Sequence, residues 1–262
     1  MKKDQTGHHF LARLGKTRLR PGGRFATEWL INQTRFAPDT QVLEVACNMG
    51  TTAVGLAQRF GCHITGVDLD ENALNKARQN IRAAGLEHLV QVQHANATEL
   101  PFPDNSFDVV INEAMLTMLP LANKEMAVAE YFRVLKPGGV LLTHDVVVRE
   151  HNTEEAVERL RDTIQVKVTP LTENAWTDLF HRSGFSNITT ISGGMTLLSP
   201  RGLIYDEGWR HAFQIVKNAL KAENRETFKR MYRTFNDPAK PMGYIAVHSR
   251  KAADAAVGEQ NA

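Results

Sequence analysis

Residues 42–60, VLEVACNMGTTAVGLAQRF, decide the fold. Apolar residues around Glu44 make a short strand, a turn containing Asn48 and Gly50 follows, and a helix opens at Thr51. A strand that turns directly into a helix aims the free N–H groups of the first helical turn at whatever lies beyond the strand. Gly50 lets that ligand approach the backbone, and Glu44 places an acid near the strand end.

Working outward, the same unit recurs. CHITGVD (62–68), LVQVQHA (89–95), FDVVIN (107–112) and GVLLTHDVVV (139–148) are short β-branched runs separated by segments of helical or turn character. In the first separator Leu74, Ala77, Ile81 and Ala84 fall on one helical face and Gly85 ends it. Strands alternating with helices predict a parallel sheet closed by right-handed crossovers. The expected fold is α/β, a doubly wound, mostly parallel, Rossmann-like sheet.

Beyond the fifth run, TENAWTDLFHRSGF reads as a helix from Thr172 to Gly184, followed by the strand SNITTIS (186–192). GYIAVHSR (243–250) is a seventh and last strand. Between them, Trp209, Phe213, Val216 and Leu220 keep helical spacing, as do Phe228, Tyr232 and Phe235, which predicts two inserted amphipathic helices. Such stripes serve as helix packing, as substrate contacts or as a dimer face, so a homodimer is one expectation. The resulting division is a helical N-terminal segment (1–36), a core (37–194), a helical insertion (195–240) serving as lid or dimer face, the last core strand (241–251) and a disordered tail (252–262).

Composition agrees with an enzyme-sized globular body. Of 262 residues, 42% are hydrophobic and 23% charged, with 18 Gly and 10 Pro, which excludes collagen, coiled-coil and wholly disordered readings. No apolar run approaches the roughly 18 residues of a membrane span, and MKKDQTGHHF lacks the apolar region of a secretory signal. With Cys47 and Cys62 as the only cysteines, a cytoplasmic protein without disulfides is expected. Ten scattered histidines without H-x-x-x-H or Cys-x-x-Cys spacing predict no metal.

The net charge of +2 conceals a basic arm, because seven Lys and Arg stand against one acid in the first 24 residues. Such an arm meets nucleic acid, an anionic substrate or a cofactor carboxylate, or is a solvated helix; a local role is expected over RNA binding.

Asp68 ends the second strand, where a carboxylate can accept both hydroxyl protons of a ribose. Asp70, just before ENALNKA, is placed to cap the helix and leaves Asp68 for a ligand.

With these residues in view the chain resembles the class I S-adenosylmethionine (SAM) dependent methyltransferases, especially their ubiquinone-biosynthesis-like small-molecule branch. The resemblance spans residues 20–192 and rests on ordered blocks: VLEVACNMG, ITGVDLDENAL, ANATELPFPDNSFDVV, INEAMLTMLP and EYFRVLKPGGVLLTHD. It implies SAM as cofactor, S-adenosylhomocysteine as product and a small-molecule acceptor. By resemblance Glu44, Ala46, Asn48 and Gly50 cradle the methionine moiety, Asp68 holds the ribose with Leu69 beside the adenine, and Asn96 and Ala97 contact the adenine. Asn112 and Glu113 flank the methyl-donor end. Ala46 and Asn48 stand where the family commonly has glycine, and Asn96 where it usually has Asp. NEAML replaces the N-P-P-Y-like run of amino-methylating nucleic-acid enzymes, which favours a small acceptor.

LRPGG (19–23) either lies beside the donor, with Arg20 facing its carboxylate and Gly23 nearby, or is a plain turn before FATEWLINQ. LKPGG at Leu135 reads as a turn between helix and strand. A base, where the acceptor must lose a proton, is expected from strand ends, which nominates Glu113 after the fourth strand and His144 with Asp145 in the fifth.

Overall fold

The computed structural model describes residues 7–149, 153–237, 239 and 241–253. The first six residues and all of the expected tail after residue 253 lie outside the described residues.

β1 (Gln41–Val45), β2 (His63–Asp68), β3 (Val90–His94), β4 (Phe107–Glu113) and β5 (Leu135–Val148) pair in parallel. β7 (Met242–Arg250) enters antiparallel between β5 and β6 (Ser186–Gly194), giving the seven-strand order β3-β2-β1-β4-β5-β7-β6. Sequence and position agree: β1 and β7 are buried almost throughout, whereas the edge strands β3 and β6 carry exposed polar residues. β1 and β4 lie side by side and the chain winds outward in opposite directions from them. Their carboxyl ends form the crevice where such sheets bind ligands.

α2 (Gly23–Asn32), α3 (Thr51–Phe60) and α4 (Glu71–Ala83) cover one face through Leu30, Leu56 and Ile81. α5 (Leu121–Val134) and α7 (Glu173–Arg182) cover the other through Tyr131, Trp176 and Phe180. Trp176 is fully buried and its indole N–H donates to the Val146 carbonyl at 3.0 Å, so truncation to Ala would cost about 3–5 kcal/mol. Asp70 caps α4 by accepting the Asn72 N–H at 2.9 Å, and Thr172 caps α7 by accepting the Ala175 N–H, as their positions before helical runs predicted.

A third apolar core lies above the carboxyl ends of the strands. It is built from α1 (Gly7–Leu14), α6 (Thr153–Ile164) and three inserted helices, α8 (Pro200–Glu207), α9 (Trp209–Ala219) and α10 (Ala222–Phe235). The insertion therefore holds one helix more than its aromatic spacing suggests, because α8 is short and carries little amphipathic pattern. LKPGG is also not a separate turn. β5 begins at Leu135, and the β4–β5 register jumps from Phe107↔Leu135 to Val109↔Val140, so these residues bulge within the strand.

The α9 stripe departs from the packing expectation. Trp209 is 68% and Phe213 69% exposed, and Val216 and Leu220 also face solvent. The buried side of α9 is Ala212, Ile215 and Ala219, because small residues let the helix seat closely on its neighbours.

Candidate active site

A cleft of about 580 Å³ opens at the carboxyl ends of β1 to β4, with Glu44, Asp68, Asn96 and Glu113 in its wall and residues 17–20 across its mouth. Its base is the turn after β1. Ala46 (φ 58°), Asn48 (φ 49°) and Gly50 (φ 70°) are all left-handed, the conformation glycine adopts freely and Asn tolerates. Ala46 therefore carries a steric cost of roughly 1–2 kcal/mol. At Gly50 a side chain would in addition press to 3.3 Å on the Ala77 methyl. α3 starts there without a side-chain cap, which leaves its opening N–H groups to other partners.

Glu44 reaches from β1 towards this helix start, where the Thr52 hydroxyl and the Ala53 N–H lie near enough to its carboxyl to favour ionisation. Burial, reinforced by the neighbouring Glu113 charge, pushes Glu44 up to about 8, against the pull of Arg20. Its Oε2 is buried with no hydrogen-bond partner. Glu113 goes the other way, down to about 2: although burial opposes ionisation, the Arg20 guanidinium and the His144 and Thr27 hydrogen bonds outweigh it. Arg20 Nε lies 3.0 Å from Glu113 Oε2, and the same guanidinium donates to Thr27 Oγ1 at 2.8 Å and Thr52 Oγ1 at 2.6 Å. Two carboxyls thus share one cation, and it is Glu113 that keeps the charge.

His144 is fully buried. Its Nε2 accepts the Gly22 N–H at 2.9 Å, so Nδ1 carries the proton and donates to Glu113 Oε1 at 3.2 Å. Both ring nitrogens are occupied and the ring lines neither the cleft nor the cavity described below. The strand-end position that suggested a base thus places the ring inside a hydrogen-bonded network, with Nε2 on the Gly22 N–H and Nδ1 on Glu113. Glu113 does line the cleft, but a carboxylate held this low is a weak base.

At the far end, Asp68 Oδ2 accepts the Asn48 N–H and Oδ1 the Asp70 N–H, both at 2.9 Å, which ties the β1 turn to β2. A carboxylate accepts about four hydrogen bonds, so two sites remain for a ligand. Leu69 is exposed at the rim, Ala97 lines the wall, and Asn96 Oδ1 accepts its own Thr98 N–H.

Two expected residues lie elsewhere. Asn112 is buried in the sheet, its amide donating to Thr143 Oγ1 at 3.1 Å. Gly23 opens α2 with φ 58°, and an added Cβ would stand 2.6 Å from the Asp206 carboxylate; its task is close packing. The basic arm also turns inward. Buried Lys16 pairs with Asp206 and Glu207 at 3.4 Å each, Arg18 donates to the Asp206 carbonyl, and Arg20 meets Glu113.

Sequence reasoning did not find the Thr27 and Thr52 hydroxyls that orient Arg20 and Glu113; hydroxyls on helices carry no spacing signal. It also did not find a second, smaller cavity of about 90 Å³ beneath the roof. That cavity is walled by Met118, Met195, Met231, Leu160 and Phe235 and shares Leu19, Ala114 and Met118 with the cleft. Among the described residues no group of three or more His, Cys, Asp or Glu is arranged to hold a metal, and no helix is long and apolar enough to cross a membrane.

Comparison with known proteins bears on this geometry. Residues 42–139 match a family model described as a methyltransferase domain. A Haemophilus influenzae protein described as uncharacterized is 62% identical over 251 residues, covering 96% of this chain and 100% of its own length. A demethylmenaquinone methyltransferase of Listeria welshimeri is 41% identical over 113 residues, 42% of this chain and 47% of that protein; the chain thus matches about half the length of this curated relative. In fold, the chain is similar to a putative sarcosine dimethylglycine methyltransferase from Galdieria sulphuraria, with a TM-score of 0.75 at 16% identity over 93% of this chain and 97% of that one.

Proposed function

We propose that this chain, whose residues 42–139 match a methyltransferase domain, is a SAM-dependent methyltransferase that moves the methyl group of SAM to a small-molecule acceptor by in-line displacement. The observation that carries the proposal is the shared wall: a cleft with an ionisable pole at each end meets an apolar cavity at Leu19, Ala114 and Met118.

The residues present fit SAM. Its ammonium and sulfonium suit an end of the cleft that holds two carboxyls, one with an unpartnered buried oxygen. Arg20 has five N–H donors and spends three on Thr27, Thr52 and Glu113, so it retains capacity for a carboxylate. Asp68 would take the ribose hydroxyls, Leu69 and Ala97 the sides of the adenine, and Asn96 its edge. The turn through Ala46, Asn48 and Gly50 would let the methionine chain lie against the backbone. When bound, SAM supplies an already activated methyl group, so the protein needs no nucleophile of its own.

The chain's own work is then positioning and exclusion of water. His144 and Thr27 fix the Glu113 carboxylate, Glu113 fixes Arg20, and Gly22 N–H on His144 binds the LRPGG segment into the same network. His144 and Glu113 are thus positioning residues. Gly23 and Asn112 serve the scaffold. The roof helices and the methionine-lined wall keep water from the acceptor. A small apolar cavity and an inward-turned basic arm favour a small molecule over a nucleic acid.

Calorimetry with SAM and S-adenosylhomocysteine, followed by incubation of cell extract with isotopically labelled SAM, tests the proposal. Saturable binding and one labelled small product are expected. Absence of binding refutes it, and binding without transfer to any extract component leaves a SAM-binding regulatory or scaffold protein.

A further inference from the structure

The apolar cavity has a polar pole that the cofactor reading leaves unused. Asp145 and Thr117 belong to its wall, among methionines, leucines and Phe235. Asp145 is fully buried. Its Oδ2 accepts the Thr117 N–H at 3.1 Å and its Oδ1 the Val146 N–H at 2.7 Å, which leaves about two acceptor sites open. Burial raises the Asp145 carboxyl above its ordinary value; Thr117 is 3% exposed, and its hydroxyl lies close enough to oppose that rise without the geometry of a formed hydrogen bond. The charged and titratable neighbours are Lys124, whose ammonium donates to the Leu119 carbonyl, the His144 ring and the buried Tyr131 hydroxyl. None of them makes a hydrogen bond to the carboxylate among those described.

A buried carboxyl and a buried hydroxyl, both incompletely satisfied, are costly in a hydrocarbon and thioether wall unless a ligand completes them. One group completes both at once: a hydroxyl or amine donates its hydrogen to Asp145 and accepts from Thr117. The remaining wall offers only apolar contact, and its three methionines can yield to differing shapes. At about 90 Å³ the space is smaller than the ~150 Å³ apolar cavity that accepts benzene, so the buried portion of the ligand is compact.

We propose that the cavity binds the methyl acceptor through an O–H or N–H group seated between Asp145 and Thr117, and that the acceptor body packed around it is small, apolar and uncharged. The inference rests on the acceptor reading above, and its test separates the two.

The probes are ethanol and isopropanol, each against its isomeric ether (dimethyl ether and ethyl methyl ether), which has the same atoms and nearly the same volume but lacks the donor hydrogen. Binding to the S-adenosylhomocysteine complex is read by saturation-transfer NMR, while calorimetry on the same sample reports the cofactor analogue. The alcohols should bind roughly tenfold or more tightly than their ethers, the loss expected when a buried carboxyl is left unmet. Asp145→Asn should bring alcohol and ether to within about twofold, and Thr117→Val should weaken alcohol binding, with S-adenosylhomocysteine affinity unchanged in both. Equal binding of alcohol and ether to the wild type, a preference that persists in Asp145→Asn, or no binding of any probe overturns the inference. A wild type that fails to bind S-adenosylhomocysteine overturns the cofactor reading instead. Should Asp145→Asn fail to fold, Thr117→Val alone decides: an undiminished preference for the alcohol counts against the site.

Discussion

Glu44 supports a quantitative prediction. Its carboxyl is raised from 4.5 to about 8, mainly by burial and then by Glu113. At 1.36 kcal/mol per unit, the folded environment shifts the balance towards the neutral form by something on the order of 5 kcal/mol relative to an exposed carboxyl. Because the folded value lies above the unfolded one, this contribution to stability is complete below about pH 4.5 and disappears as pH rises through 8. At pH 7 the group is roughly nine-tenths protonated. A ligand ammonium against Oε2 reverses the preference, so SAM binding should release most of one proton at pH 7, and affinity should climb from pH 6 towards pH 8, where loss of the ligand's own ammonium proton ends the rise. Calorimetry in two buffers of different ionisation heat counts the proton, and a pH series of binding constants gives the slope. Glu44→Gln should bind more weakly at pH 8, lose the slope, and unfold at a higher temperature than wild type at that pH when no ligand is present. Zero proton release together with a flat affinity between pH 6 and pH 8 would refute the reasoning.

Other perturbations follow from the same geometry. Ala46→Gly relieves a left-handed alanine and should stabilise the fold by about 0.5–1 kcal/mol in denaturant titrations, after the added chain entropy of glycine. Asp68→Ala removes the acceptor of two backbone N–H groups and of the proposed ribose contact; SAM affinity should fall at least tenfold, read by calorimetry. Lys16→Met leaves the Asp206 and Glu207 carboxylates without their buried cation and should cost about 3–5 kcal/mol in unfolding experiments. Trp209→Ser with Phe213→Ser, both on the solvent side of α9, should change stability by no more than about 0.5 kcal/mol each.

What the sequence disclosed was local. The strands of the sheet, the Asp70 and Thr172 caps and the placement of Glu44 and Asp68 at strand ends all follow from spacings of a few residues, because parallel strands buried on both faces and helix starts have local signatures. What it concealed depended on distant partners. The basic arm is expected to act locally, but the partner of Lys16, Asp206, stands 190 positions away and has no signal in the sequence. His144 reads as a base at a strand end, whereas the Gly22 N–H on its Nε2 comes from 122 positions away. The α9 aromatics share the period of a core stripe, and only the packed roof shows that Ala212 and Ile215 turn inward in their place. The small cavity draws on α1, α6, α10 and the segments after β4 and β6, which no linear pattern unites.

The position of β7 has a consequence for biosynthesis. Among the described residues β6 hydrogen-bonds within the sheet to β7 alone, and β7 is made after α8, α9 and α10. While residues 242–250 remain in the ribosomal tunnel, β5 presents a bare edge of backbone donors and acceptors, and β6 has nothing to dock on. The half of the sheet built from β1 to β4 can assemble early, but the apolar core above it closes only once residues 242–250 have emerged, and a chain stalled before Met242 would be a sticky, half-built sheet in search of a strand.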